Sequence, residues 1–224
     1  GNFVTTRRTQ RRVAWTIGAN YLITDNLSVY GRYADGFQTN NTDPITGVEL
    51  YEIGARYKYR NLLNASVTLF RTNFRSQFYN FIDPLNPTIQ TSFLADLGTT
   101  GVEVDALIRP VDWFSIDFFG VFQNPTLNNL RLNGVPQPGF DGNRPERTPS
   151  TLFTITPTFK LPKGLGEVYG RYKYIGDIFA DSGNGISLPA YGVTSFGASV
   201  NVTDRLQVSV NADNVFNVIG LTEG

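Results

Sequence analysis

The chain has 224 residues, a formal net charge of zero from 19 Lys+Arg and 19 Asp+Glu, and no Cys, His or Met. Without Cys there is no disulfide framework, thiolate metal site or Cys nucleophile, and without His there is no Ser-His-Asp triad and no usual metal ligand. The balanced charge gives no reason to expect a nucleic-acid partner. Any catalysis would have to rest on carboxylates, Lys or Tyr. We expect no catalytic site, no metal site and no cofactor.

The first residues of the chain do not have the pattern of a signal peptide. The sequence does not start with Met, and no charged segment followed by an apolar one opens it, so we expect a processed or partial chain. The apolar runs last only a few residues, far short of the ~20 that a membrane helix needs. Aromatic residues make up 13% of the chain, with 11 Tyr and 17 Phe, a composition typical of β-strands.

Apolar and polar residues alternate with a period of two along most of the chain, which predicts strands with two different faces. In Leu50–Tyr59 one face is apolar and aromatic (Tyr51, Ile53, Ala55, Tyr57, Tyr59), while Glu52, Gly54, Arg56 and Lys58 occupy the other. The same alternation is found in Val102–Arg109, Glu167–Tyr174 and Leu206–Asp213. We count about ten such segments, and none has a competing helical period.

Short and long connections alternate between these segments. Tight turns are predicted at Thr24–Asn26, Arg60–Asn61, Val111–Asp112, Lys163–Leu165 and Thr203–Arg205. Long polar loops are predicted at Gly36–Glu49, Asn80–Gln90, Asn124–Pro149 and Asp177–Ala190. Outer-membrane barrels have short periplasmic turns and longer extracellular loops. The fold predicted is therefore all-β, an antiparallel transmembrane β-barrel with about ten strands, with both chain ends on the extracellular side.

A soluble β-sandwich would also show alternating strands. The polar face of these segments is charged on strand after strand, and the apolar face has aromatic residues near the strand ends, as expected for a lipid-facing band with interfacial girdles. The barrel is favoured on this ground, and a soluble β-rich carbohydrate-binding module is kept as an alternative.

Several short motifs resemble the C-terminal half of the barrel of TonB-dependent outer-membrane receptors. The motifs are Trp15–Tyr21 followed by Asp25–Tyr33, then Asp35–Phe37, Tyr51–Gly54, Gly101–Val104 and Asn211–Asn217. The resemblance covers essentially the whole chain in the family's order. Receptors of this class have ~22 strands and a plugged lumen. It implies that residues 1–224 are a partial barrel, with the plug domain and the aromatic-ended closing strand absent.

The resemblance also implies a function. It is energy-coupled uptake of a scarce nutrient such as an iron chelate, cobalamin or an oligosaccharide across the bacterial outer membrane, and not an enzymatic activity. The implied partners are outer-membrane lipid and lipopolysaccharide, the protein's own plug domain, the inner-membrane TonB complex acting through that plug, and the small-molecule or oligosaccharide ligand. A passive porin-like barrel is the first alternative.

Ligand contact is predicted for aromatic and basic residues of the long loops: Phe37, Phe78, Tyr79, Phe140 and Arg144. Aromatic rings could stack on a ligand, and a guanidinium group could pair with an anionic one. The alternative is that the rings pack the loops together or belong to the interfacial girdle.

Two groups of charged residues have a functional and a structural interpretation. Arg7, Arg8, Arg11 and Arg12 form a dense basic cluster at the predicted outer rim, where lipopolysaccharide phosphates or an anionic ligand could bind. The alternative is a solvated strand extension with acidic partners. The carboxylates of Glu52, Glu103 and Asp105 could form a glycosidase pair, but their place on charged strand faces favours ion pairs with Arg56, Arg109 and Lys173.

Overall fold

The structure, a computed structural model, is almost entirely β-strand. It describes residues 11–38, 45–82 and 90–221, without the side chains of residues 78–82 and 90–92. Within those ranges, no helix has the length and apolar character needed to span a membrane.

Thirteen strands and two short 3-10 turns make up the regular structure of the described residues. The strands are β1 (Trp15–Thr24), β2 (Leu27–Gln38), β3 (Thr46–Tyr59), β4 (Leu63–Ile82), β5 (Gln90–Val111), β6 (Phe114–Leu132), β7 (Val135–Pro136), β8 (Thr151–Lys160), β9 (Gly166–Ile175), β10 (Ile178–Phe179), β11 (Ser187–Leu188), β12 (Tyr191–Thr203) and β13 (Leu206–Ala212). The 3-10 turns cover Pro138–Phe140 and Pro162–Gly164.

Ten of these strands form the wall, a single antiparallel sheet in which each wall strand pairs with the next one along the chain. Its order is β1-β2-β3-β4-β5-β6-β8-β9-β12-β13. The short β7 adds to β6, and β10 and β11 form a separate hairpin. The predicted all-β antiparallel architecture with about ten strands is confirmed. The sheet ends at β1 on one side and at β13 on the other.

All five predicted tight turns join neighbouring wall strands, so they lie at one end of the sheet, here called the turn end. The longer connections lie at the opposite end, the loop end. Local hydrogen bonds stabilise these turns, as where the backbone N–H groups of Asn26 and Leu27 donate to Thr24 Oγ1. The predicted alternation of short and long connections is therefore confirmed.

The predicted loops are shorter in the structure, because the strands extend into them. The strand β6 continues to Leu132 through the first part of the predicted loop Asn124–Pro149, and Pro125 lies in the ladder opposite Thr99 of β5. Pairing of β6 with β8 ends at Phe122, so Pro125 has a neighbouring wall strand on one side only. Because proline has no backbone N–H, it is tolerated at such a position, where no β8 carbonyl oxygen requires a donor. Likewise, β2 and β3 extend into Gly36–Glu49, and Asp177–Ala190 contains the β10–β11 hairpin.

The register places the apolar residues of successive strands on one face of the sheet, the apolar face. Val29 is opposite Ala55, Ala55 opposite Val67, and Val67 opposite Val104. The other face, the polar face, holds the alternate residues, among them Thr68. On the apolar face Ile53 is 62% exposed, whereas Thr68 is only 7% exposed. This sheet exposes its apolar side chains and partly covers its polar ones, the reverse of a soluble β-sandwich.

Aromatic side chains form two rows on the apolar face, one near each end of the strands. Near the loop end, the ring centroids of Trp15 and Tyr33 are 5.0 Å apart and those of Tyr33 and Tyr51 4.8 Å apart. Near the turn end, the ring of Phe159 lies 4.7 Å from that of Phe114 and 6.2 Å from that of Trp113. Two aromatic rows bounding an exposed apolar band are the pattern of interfacial girdles.

The tightest packing among the described side chains is at the loop end rather than in the middle of the sheet. Ala95, Leu127 and Leu130 are buried there, and Phe93, Leu97 and Phe140 pack against them. Leu97 and Leu127 are register partners in the polar-face set of β5 and β6, so this cluster lies on the polar side of the wall.

Candidate functional site

At the loop end, the segments 133–150 and 177–190 contact each other, and Arg144 makes the main contacts between them. Its guanidinium donates to the Asp177 carboxylate at 2.9 Å and to the Asp177 carbonyl oxygen at 2.8 Å. The same group lies over the ring of Phe179, 4.6 Å from its centroid. One ion pair and one hydrogen bond to a backbone carbonyl, with an aromatic ring beneath, fix both the position and the plane of the guanidinium. The segment 133–150 is thereby fixed to the segment 177–190.

Amide and hydroxyl groups form further hydrogen bonds between the two segments. The backbone N–H of Arg144 donates to Asn184 Oδ1, and Asn184 Nδ2 donates to the Arg144 carbonyl oxygen, both at 2.8 Å. Ser182 Oγ donates to Glu146 Oε1 at 2.6 Å, and Asn143 Nδ2 donates to the Ser182 carbonyl oxygen at 2.9 Å. Because the bonds run in both directions between the same two segments, the segments form one unit, here called the loop platform.

A single carboxylate, Asp181, holds the turn of the second segment. Its oxygens accept hydrogen bonds from the backbone N–H groups of Gly185 at 3.0 Å and Ile186 at 2.7 Å. Burial alone would raise the pKa of Asp181, but the backbone hydrogen bonds from Gly185, Ile186 and Gly183 outweigh it and lower the pKa below its usual value. The carboxylate is therefore ionised in its turn at neutral pH.

The first segment of the platform folds back over β6. The Leu127 N–H donates to the Asn143 carbonyl oxygen at 2.7 Å, and the Gly142 N–H donates to the Leu127 carbonyl oxygen at 2.8 Å. These bonds place Phe140, at the end of a 3-10 turn, against the buried cluster of Ala95, Leu127 and Leu130. The loop thus covers part of the polar side of the wall.

A cavity of about 490 Å³ lies between the platform and the ends of β5 and β6. Its apolar wall consists of Phe93, Leu130, Leu132 and Phe140, and Glu146, Asp181 and Ser182 line its polar edge. An apolar cavity of this size with a few polar groups on one side is typical of a small-molecule binding site. It can hold an apolar or aromatic group and present carboxylates to a polar neighbour.

The structure brings together two of the residues predicted to contact a ligand. Phe140 lines the cavity, whereas Arg144 is held in the platform by Asp177. Phe37 pairs with Gly47 and belongs to the apolar-face set of β2, away from the cavity. Phe78 and Tyr79 lie in β4 opposite Leu94 and Phe93, and their side chains are outside the described ones. Ligand contact by these five residues stays a prediction.

The residues predicted to contact a ligand did not include Glu146, although it lies in the same predicted loop as Phe140 and Arg144. The sequence interpretation missed Asp181 and the amide of Asn184. The run Asp181–Gly185 is rich in turn-forming residues and predicted a loop. The pairing of Asn184 with Arg144, 40 residues away, has no local signal.

The predicted basic cluster is only partly described. Arg7 and Arg8 lie outside the described residues. Arg11 is exposed, and one Arg12 guanidinium nitrogen lies 3.8 Å from the Asp35 carboxylate. The Asp35 carboxylate is an acidic partner of the kind expected if the cluster is a solvated strand extension. Anion binding by the cluster stays a prediction.

The polar face carries an ordered set of charged and hydroxyl groups. Arg32 Nε donates to Glu52 Oε2 at 2.6 Å, the Arg56 guanidinium lies 4.4 Å from the centroid of the Tyr30 ring, and the hydroxyls of Tyr30 and Thr68 share a hydrogen bond of 2.5 Å. In the described part of the chain, no group of three or more acidic side chains is placed to hold a metal ion. The arrangement suits an ion-pair network facing water or protein.

Comparison with known proteins agrees with this architecture. The family model described as TonB dependent receptor-like, beta-barrel, matches residues 1–215. The pesticin receptor of Yersinia enterocolitica is 24% identical over 222 residues, a match that covers 92% of this chain and 31% of the receptor. This chain therefore spans about a third of the length of the curated relatives that it matches.

Two solved structures show the same fold. The ferric yersiniabactin uptake receptor FyuA from Yersinia pestis superposes with a TM-score of 0.70 at 21% identity, over 93% of this chain and 33% of that one. The siderophore receptor PiuA from Acinetobacter baumannii gives a TM-score of 0.73 at 19% identity, over 94% and 32%. The chain belongs to the β-barrel family of TonB-dependent receptors of the bacterial outer membrane, which are receptors and transporters rather than enzymes.

Proposed function

We propose that this chain supplies ten wall strands and a ligand-facing loop platform to a receptor that takes up an iron chelate across the outer membrane. The cargo class is supported by the similar proteins, a ferric yersiniabactin receptor and a siderophore receptor among them. Cobalamin and oligosaccharides, which the sequence left open, have no such support among those relatives.

The observation that carries the proposal is the loop platform with its cavity. In this family the apolar face is the lipid side of the barrel and the polar face lines the lumen. The platform and the Phe140 cluster are on the polar side at the loop end, so they lie at the extracellular mouth of the lumen. Loops tied together by Arg144 and Asp177 present a preformed surface, which reduces the entropy lost on binding a ligand.

The remaining partners are proposed from the family. The ion pairs of the polar face, such as Arg32 with Glu52, suit a lumen filled by a hydrated plug domain, through which the inner-membrane TonB complex would act. The passive porin and the soluble carbohydrate-binding module are not favoured by the relatives.

Uptake by the full-length protein tests the cargo and the energy coupling together. We expect cells expressing it to accumulate one ferric siderophore from a panel, and to lose that uptake when the TonB gene is deleted. Uptake that survives the deletion would indicate a passive pore. Growth supported by cobalamin or an oligosaccharide, and by no ferric chelate, would show that the cargo class is wrong.

A matched pair of substitutions tests the cavity. Phe140→Ala removes an apolar wall of the cavity, and we expect ligand affinity to fall about tenfold, as for a buried aromatic anchor. Phe37→Ala removes a ring at the same end but from the apolar-face set, and should leave affinity unchanged. Limited proteolysis of the loops shows whether the platform stays docked in each variant. An equal loss of affinity in both variants would contradict the assignment.

A further inference from the structure

A polar cleft interrupts the apolar face just beyond its loop-end aromatic row. Arg71 of β4 is the register partner of Tyr51, the last ring of that row. One position further out on the same face Asn73 is opposite Gly98, and beyond it Arg75 is opposite Gly47. Beyond Tyr51, the side chains on the apolar face are therefore cationic or amide groups instead of aromatic rings.

Gly98 forms the floor of this cleft. A Cβ atom at Gly98 would lie 3.3 Å from Thr126 Oγ1, 3.8 Å from Asn128 Nδ2 and 3.8 Å from Asn73 Oδ1. The missing side chain thus leaves a depression surrounded by hydroxyl and amide groups from both neighbouring strands. The cleft measures about 340 Å³, and Arg71, Arg75 and Asn124 also line it.

The charges of the cleft favour an anion. In the part of the chain that the structure describes, no ion pair is seen for Arg71, whose Nε only approaches Asn73 Oδ1 at 3.4 Å. Arg75 contacts Glu49 at 2.7 Å, yet its side chain is 62% exposed and keeps donors free for a second acceptor.

The one carboxylate lining the cleft, Asp96, is already occupied. Its two oxygens accept hydrogen bonds from the Ser76 N–H and from Asn129 Nδ2, each at 2.8 Å. Both donors belong to the strand bulges at Ser76 and Asn129. Asp96 therefore stabilises the backbone of the two bulges. With Glu49 paired to Arg75, Arg71 is the cation of the cleft for which the described residues show no carboxylate partner.

We propose that this cleft binds a phosphate group on the sugar headgroup of an outer-leaflet glycolipid, the lipopolysaccharide of the bacterial surface. The cleft opens on the lipid side and lies directly beyond an aromatic row, at the depth where headgroups meet the protein. Guanidinium groups pair with phosphate through two parallel hydrogen bonds, and the Asn and Thr side chains match sugar hydroxyls. Of the predicted rim cluster, Arg12 adjoins the site, because a Cβ atom at Gly47, the register partner of Arg75, would lie 2.9 Å from an Arg12 guanidinium nitrogen.

Lipid retention by the purified full-length protein tests this proposal. After exchange into mild detergent, we expect native mass spectrometry to show bisphosphorylated lipid A retained, and enzymatically dephosphorylated lipid A retained about tenfold less. Equal retention of the two lipids would overturn the proposal. Displacement of bound lipid A by millimolar inorganic phosphate would identify a free-anion site and would also overturn the lipid assignment.

Three variants locate the site. We expect the double variant R71Q/R75Q to lose retention of bisphosphorylated lipid A, because it removes both cations. Gly98→Val should lose it without any change of charge, because the side chain fills the depression. The control is Arg205→Gln, which removes an exposed cation in a tight turn at the opposite end. Heat-modifiable mobility verifies that each variant is folded, and wild-type retention by folded R71Q/R75Q and Gly98→Val would overturn the proposal.

Discussion

At the scale of single residues, the Asp181 carboxylate makes the loop platform sensitive to acid. Its pKa in the folded protein is lowered, because the backbone hydrogen bonds outweigh the opposing effect of burial. A lowered pKa means that its stabilising contribution is complete above the unfolded-state value of ~3.9 and is lost as the pH falls through the folded-state value. The turn at Asp181–Ile186 should therefore hold from neutral pH down to about pH 5 and open only below about pH 4.

Hydrogen exchange of the amides of Gly185 and Ile186 measures this. We expect both to be protected in the wild type at pH 5 and pH 7. In Asp181→Asn they should exchange faster at both pH values, since a neutral amide oxygen is a weaker acceptor than a carboxylate. Wild-type protection in the variant would show that the carboxylate does not hold the turn.

A second residue-scale prediction concerns which face meets lipid. Ala55 lies on the apolar face between Val29 and Val67. Ala55→Arg should destabilise the full-length barrel by roughly 2–4 kcal/mol, the cost of a cation near the bilayer midplane. Ser66→Arg, on the polar face opposite Asp105, should cost much less. Denaturant titration of the two variants in detergent measures the difference, and equal costs would reverse the assignment of the faces.

Gly54, the neighbouring polar-face position, is unsuitable as the control. The alternation of the sequence puts Gly54 on the charged face, where a charge change should be tolerated better than at Ala55. However, the Tyr30 ring lies over Gly54, and a Cβ atom there would approach that ring to 2.6 Å. The ring is held by its hydrogen bond to Thr68. Any side chain at position 54 would displace it, so a cost there would reflect steric conflict and not sidedness.

At the scale of elements, the loop 133–150 can be separated from the wall. Pairing of β6 with β8 ends at Phe122, so deleting Gly134–Arg144 cuts no ladder between wall strands. We expect the deletion variant of the full-length protein to keep heat-modifiable mobility. Its segment 177–190 should become sensitive to protease because it loses Arg144, and ligand binding should weaken. Loss of heat-modifiable mobility would show that this segment helps to build the wall.

The elements show what could be predicted from sequence and what could not. Turns and face alternation depend on local chemistry, so the positions of the five tight turns and the two faces of Leu50–Tyr59 were predictable. The extension of β6 through Pro125 was not, because it depends on where the neighbouring β8 stops. The docking of Arg144 on Asp177 also has no local cause. Phe140 was identified because a large aromatic residue in a polar loop is itself a signal.

At the scale of the whole molecule, the described sheet is open. β1 and β13 are the two ends of the strand order, and every described residue of both strands is exposed. Each edge presents a row of backbone N–H and C=O groups without a strand partner on its outer side. In water such an edge is a template for aggregation, and in lipid each unsatisfied group costs several kcal/mol. The wall strands therefore need further strands, or each other, to become stable in a membrane.

This leads to a prediction for residues 1–224 expressed alone. Refolded into detergent or lipid vesicles, the chain should aggregate or stay uninserted, and it should give no monomeric band that shifts on heating. The full-length protein is the positive control and should show the shift. The expectation rests on the unpaired backbone N–H and C=O groups of β1 and β13. It does not rest on the side chains, which already have the pattern of a barrel wall. They form an exposed apolar band, two aromatic rows and a polar face with its own ion pairs. If the isolated chain gave a monomeric, heat-modifiable band, its edges would have to pair with each other, and ten strands would suffice to close a small barrel.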